Sequence, residues 1–210
     1  MLINRLAVLI AERRLNISKL SEETGISRPT LTQISKNENK MIQLETINQL
    51  CMYLEISPDD FFSYLPYEFE FDFLSSDLVI DFVGTKTYID VESFNFDFTF
   101  ELVIKVVYKD GYIPINVSGS LGISKHFEKR LVITLKVENE NSDAWQKYIS
   151  DLSVDFRHIF DDSVIKFLKL NLFDAIEDKL EHECNILTND YTDSIFETID
   201  SYDTDLKCSW

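Results

Sequence analysis

The hydrophobic pattern of this chain changes period at Pro66, and that change decides most of what it can fold into. Before Pro66, apolar residues recur every three to four positions, as on helices. After it, Tyr67, Phe69, Phe71 and Phe73 alternate with Glu68, Glu70 and Asp72, as on a strand with one buried face. The two periods cannot share one element, so the chain reads as an α+β protein of two domains.

The first domain, 1–66, reads as five helices. Leu2, Leu6, Leu9 and Ile10 share a helical stripe that ends near Arg13 and Arg14. Asn16 suits the N-cap of a second helix, which holds Ile17 and Leu20 and stops at Gly25, a residue at ease in the left-handed conformation. Ser27 caps a third helix running to about Lys36, with Pro29 in its first turn, where a missing N–H costs nothing. After the polar loop Asn37–Lys40, a fourth helix carries Leu44, Ile47, Leu50, Cys51 and Leu54. A fifth starts at Ser57-Pro58-Asp59-Asp60, with acids at its positive end, and holds Phe61, Phe62 and Leu65.

The second domain, 67–189, reads as an antiparallel sheet followed by helices. Phe94, Phe96, Phe98, Phe100 and Leu102 alternate with polar residues, Asp110-Gly111 marks a hairpin turn, and Leu131 to Val137 alternates again. From Ser142 helical spacing returns in three groups, around Trp145, around Phe156 to Leu168, and from Leu172 to Leu187, which suggests two or three helices covering the sheet. Residues 190–210, rich in acid, read as a partly docked or frayed tail with Ile195, Phe196, Ile199 and Tyr202 as anchors.

Charge separates the two domains as sharply as period does. The net charge of −17 looks wrong for a partner of nucleic acid, but residues 1–66 hold seven Lys/Arg against eight Asp/Glu, while 67–210 hold 13 against 29. The acidic part would be repelled by phosphate, so any nucleic-acid contact belongs to the nearly neutral first domain. Hydrophobic content of 45%, with 16 Phe and 9 Tyr, supplies two cores and excludes disorder throughout. No apolar run reaches membrane-span length and the N-terminus lacks a signal-peptide core, so the expected location is cytoplasmic. Cys51, Cys184 and Cys208 are odd in number and far apart, which argues against a disulfide framework or zinc cluster.

Residues 5–62 resemble the Cro/cI-type (Xre) helix-turn-helix family of phage and bacterial regulators. The resemblance rests on Arg5-Leu6, on Leu20-Ser21-Glu22-Glu23-Thr24-Gly25-Ile26-Ser27, on Thr30-Leu31-Thr32-Gln33-Ile34, and on Leu44-Glu45-Thr46-Ile47 with Leu54 and Ile56-Ser57. It implies a lambda-repressor-like five-helix domain that binds double-stranded DNA, with helix 27–36 in the major groove and the preceding helix bracing it. Leu31 and Ile34 must turn inward, leaving Arg28, Pro29, Thr32, Gln33 and Lys36 outward. Gln33 can pair with adenine and Arg28 with guanine, while Asn16, Ser27, Thr30, Lys36, Asn37 and Lys40 suit phosphates. Two departures stand out. Pro29 occupies a position that often reads a base in relatives, and Ile17 one that is often Gln, so thymine-methyl contact gains weight.

A single such domain touches few phosphates, so a homodimer on two half-sites is expected. The second domain is then a dimerisation and sensor module that answers to a peptide, small molecule or protein. Alternatively it is the partner-binding part of an antitoxin-like protein that regulates its own gene. A self-cleaving enzyme is not expected: the glycines follow Thr24, Val83, Asp110, Ser118 and Leu121, so the Ala-Gly or Cys-Gly scissile pair of such repressors is missing. Ser124-Lys125 reads as a polar loop, His126 and His158 have no metal spacing, and His182-Glu183 fails the HExxH pattern. No cofactor is expected.

Overall fold

A short strand, β1 (Leu2–Asn4), opens the chain where a helix was expected, and it pairs antiparallel with β2 (Phe62–Tyr64) in the register Leu2↔Tyr64 to Asn4↔Phe62. Leu2 therefore leaves the helical stripe and is 63% exposed. Helix α1 (Leu6–Glu12) begins only after Arg5, whose N–H donates to the Phe61 carbonyl at 2.8 Å. The same pairing shortens the fifth helix: α5 is Pro58–Phe61, and Phe62 already belongs to the strand. Three residues are too few to tell a strand from a helical turn by periodicity, and here the deciding partner lies some 60 residues away.

The computed structural model describes residues 1–39, 41–81, 84–85, 88–89, 94–124, 130–182 and 192–209. It divides into Met1–Glu68 and Phe69–Trp210. In the first unit α2 (Ile17–Thr24), α3 (Arg28–Ser35) and α4 (Leu44–Leu54) join α1 and α5 around a core that includes Leu6, Leu9, Leu20, Leu31, Ile34, Leu50, Leu54 and Phe61. Leu44, expected on the inner face of α4, is 78% exposed because it is the first helical residue and projects past the core.

The second unit is built on a five-stranded sheet in the order β3-β6-β7-β8-β9, with β3 Glu68–Asp81, β6 Asn95–Tyr108, β7 Gly111–Ile123, β8 Leu131–Val137 and β9 Thr204–Ser209. A two-stranded ribbon, β4 (Gly84–Thr85) with β5 (Tyr88–Ile89), lies between β3 and β6 in sequence. The β6–β7 turn falls on Lys109–Asp110, one residue earlier than the composition suggests, because Tyr108 pairs with Gly111. Phe98, Phe100 and Leu102 are buried while Asp97, Thr99 and Glu101 face outward, so one sheet face is apolar and the other polar. Along β3 this alternation slips by one. Phe69, Phe71 and Phe73 meet the rings of the long helix or of β6, whereas Leu78 is the buried residue further on, as an inserted bulge residue would produce.

One expectation for this unit is corrected. The sheet is not wholly antiparallel, since β9 runs parallel to β8, from Leu131↔Thr204 to Lys136↔Ser209. A strand that returns after a helical crossover naturally lies parallel to the one it left. Of the two states expected for the acidic end, docked or frayed, the structure has the docked one, on three of the expected anchors: α8 (Thr192–Asp200) buries Ile195 and Ile199, stacks Phe196 on Phe173 at 4.3 Å, and leads into β9. Between β8 and α8 lie the short α6 (Ser142–Trp145), a π turn over Gln146–Ser150, and one long helix, α7 (Val154–His182), which takes up the second apolar group and the third as far as Leu180, Leu187 lying outside the described residues. The buried residues of α7 step by four from Phe156 to Leu180. Each step overshoots a full turn by about 40°, so the apolar stripe winds around the helix instead of marking one face.

Candidate nucleic-acid interface

The turn between α2 and α3 is closed by short-range bonds that the local sequence dictates. Asn16 caps α2, its Oδ1 accepting the Lys19 N–H at 2.8 Å, and Gly25 ends it at φ 74°, where a side chain would be strained. Thr24 donates its hydroxyl to the Leu20 carbonyl at 2.6 Å, and Ser21 donates to the Ile26 carbonyl at 2.6 Å. Ser27 then caps α3 by accepting the Thr30 N–H at 3.3 Å, and its hydroxyl lies 2.8 Å from that of Thr30. The two helices are thus locked at a fixed angle before any ligand is present.

Leu31 and Ile34 are fully buried, which sets the rotation of α3. At about 100° per residue, Arg28, Thr32, Lys36, Pro29 and Gln33 then share an outward arc of roughly 140°. All are exposed except half-buried Thr32, whose hydroxyl donates to the Arg28 carbonyl at 2.9 Å and so presents its methyl and lone pairs. Ile17 is half-buried against the core at the start of α2. Lys40 lies outside the described residues.

Asn37, exposed at the end of α3, also holds the fold together. At φ 55° it turns its amide back onto β1: Oδ1 accepts from the Asn4 backbone N–H at 2.8 Å and from Asn4 Nδ2 at 2.7 Å, while its Nδ2 donates to the Asn4 carbonyl at 3.1 Å. Asn4, buried, also donates to the Ile34 carbonyl at 2.8 Å and accepts the Leu6 N–H at 3.1 Å. This clamp ties the end of α3 to β1. Periodicity could not reveal it, because an isolated Asn among apolar neighbours gives no sign of where its partner lies.

The basic residues divide by what they hold. Arg5 donates to the Asp60 carbonyl at 3.2 Å and faces Glu12, and Arg13 donates to the Leu54 carbonyl at 3.2 Å. Among the described residues Arg14, Lys19, Arg28 and Lys36 have no ion-pair partner, and they supply uncommitted positive charge. Arg14 and Lys19, which flank the α2 cap, were not singled out by the sequence pattern. The described residues contain no cluster of His, Cys, Asp or Glu fit to hold a metal, and no helix among them is long and apolar enough to cross a membrane. Burial pushes the Cys51 thiol up, with Asp60 adding to it, and burial likewise raises Cys208.

Known proteins resemble this stretch. A family model of the Cro/C1-type helix-turn-helix DNA-binding domain matches residues 5–66. An uncharacterized HTH-type transcriptional regulator of Bacillus subtilis strain 168, YozG, is 33% identical over 57 residues, spanning 27% of this chain and 68% of that protein. A crystal structure of "a putative DNA-binding protein from Bacteroides fragilis" is 24% identical, covers 30% of this chain and all of that one, and superposes with a TM-score of 0.28.

Proposed function

Because the chain belongs to the Cro/C1-type helix-turn-helix family of transcriptional regulators, we propose that it reads an operator with α3 and represses transcription as a homodimer. The observation that carries this is the outward arc of α3: Arg28, Gln33 and Lys36 project from a helix whose other side is pinned by Leu31, Ile34 and the Asn4–Asn37 clamp. Arg28 and Gln33 have the donor geometry for guanine and adenine edges, Thr32 and Pro29 offer apolar contact to thymine methyls, and Lys36 meets phosphate. Asn16, Ser27 and Thr30 present polar atoms at helix N-termini, where backbone N–H groups also favour phosphate. Asn37 serves the site by fixing α3, and its exposed amide keeps a second N–H for phosphate.

One such domain covers roughly 600–1,000 Å², too little for tight specific binding alone, so two copies act on half-sites about 34 Å apart. The acidic second unit keeps off the phosphates, holds the dimer together and receives a signal. The chain acts by binding, without catalysis, and works in the cytoplasm where its operator lies. Footprinting of the full chain on the region upstream of its own gene tests the proposal. A protected, two-fold symmetric site that overlaps the promoter is the expected result, and uniform protection of all DNA would overturn it. A small basic protein co-purifying in fixed ratio would favour the antitoxin reading, for which the acidity of residues 67–210 speaks.

A further inference from the structure

Ser118 and Ser120 of the central strand β7 put only small hydroxyls on the polar face of the sheet, while Gly119 between them turns to the other face, where the Phe100 ring takes the room it leaves. The two serines floor a shallow groove of about 550 Å³ on the polar face of the sheet. The strand registers place Glu101, Ser118 and Lys136 in one row across β6, β7 and β8, and Thr99, Ser120, Thr134 and Lys207 in the next. Carboxylates from Asp77 and Glu101 therefore stand on one flank and the ammonium groups of Lys136 and Lys207 on the other, with only hydroxyls between. Glu101 and Lys136 are two strands apart, about 10 Å between Cα atoms, and form no ion pair. Among the described residues Asp77, Lys136 and Lys207 have no ion-pair partner at all, and Glu101 accepts only the Ser75 hydroxyl, at 3.1 Å.

We propose that this groove binds a short peptide with free ends, about three residues long, its ammonium on the Asp77 and Glu101 side and its carboxylate on Lys136. Length decides the class: an extended tripeptide spans about 10 Å at roughly 3.4 Å per residue, whereas the charges of a free amino acid lie too close together to reach both flanks. Ser118, Ser120 and Thr134 can each donate to and accept from the peptide groups of such a ligand. Two copies of the face could also match acid to lysine about a two-fold axis. A concave floor of hydroxyls, however, lacks the apolar core that a stable contact between copies needs.

The binding site stands independently of the DNA reading; only its use as an effector site rests on the signal-receiving role proposed above. Calorimetry of the full chain without DNA tests it, with trialanine, N-acetyl-trialanine, trialanine amide and free alanine as probes. Trialanine should bind, blocking either end should weaken binding at least tenfold, and alanine should give no heat. Lys136→Gln, an exposed change that leaves the fold alone, should abolish the penalty for C-terminal amidation while keeping that for acetylation. No heat from trialanine at several millimolar, or equal binding of blocked and free peptides, would overturn the proposal. So would self-association in sedimentation that Lys136→Gln abolishes, since the face would then be a contact between copies. If trialanine binds but leaves operator affinity unchanged, the groove stands and its effector role falls.

Discussion

Gln33 and Lys36 lie one turn apart on α3, yet their loss should read differently. If Gln33 pairs with a base as proposed, Gln33→Ala should lower operator affinity by about 1–3 kcal/mol and make one position permissive. Lys36→Ala should weaken specific and random DNA alike and reduce the salt dependence by about one phosphate's worth; titrations at two salt concentrations separate the two outcomes. These outward residues were legible because burying Leu31 and Ile34 fixes the rest of the helix. Asn4 was not, because its partners Ile34 and Asn37 are 30 or more residues away. Asn4→Ala strands buried polar groups, and urea unfolding should show a loss of about 1–3 kcal/mol, with operator binding weakened through the position of α3. Asp161 offers a test by pH. Burial raises its carboxyl, with Asp162 adding and Arg157 and His158 opposing, so the folded state holds the proton more tightly than the unfolded one. Its ionisation thus costs stability, and stability is regained as pH falls through that raised value. Asp161→Asn should raise the urea midpoint at pH 7, and the advantage should close once the pH drops below the ordinary carboxylate range.

Elements were legible where local signals agreed. Ser57-Pro58-Asp59-Asp60 announced α5, and its capping box is formed, with Ser57 and Asp60 each bonding the other's backbone. Gly25 and Ser27 marked the turn in the same way, each through its own backbone conformation. The long helix was harder. Its four-residue step moves the apolar stripe steadily around the axis, so neighbouring stretches look like separate helices with different faces. Glycine in β7 poses another case. A Cβ on Gly119 would collide with the Thr134 backbone carbonyl and stand 2.6 Å from Cζ of Phe100, its partner on β6. Gly119→Ala should therefore cost about 1–3 kcal/mol by crowding that carbonyl and that ring, measurable as a lower urea midpoint with an unchanged slope.

At the scale of the whole molecule, the break in periodicity near Pro66 and the split of charge told of two units, and the first has a core of its own. A fragment of residues 1–68 should unfold cooperatively but bind the operator more weakly than the full chain at equal salt; equal affinity would remove the need for a dimer contact in the second unit. What composition left open was the fate of residues 192–209. Acid content pointed to solvent and the spaced Ile195, Phe196 and Ile199 to a core, and these side chains with a hydrogen-bonded strand dock the segment. That docking has a consequence in time. Strand β8 is complete some 65 residues before β9 is made. At roughly 5–20 residues per second, a ribosome leaves the β8 edge uncovered for about 3–13 s, long after the DNA-reading unit has emerged. Throughout that interval the nascent chain holds a finished helical head and an unclosed sheet, so stalled or truncated chains should aggregate through β8 while still carrying a folded α3.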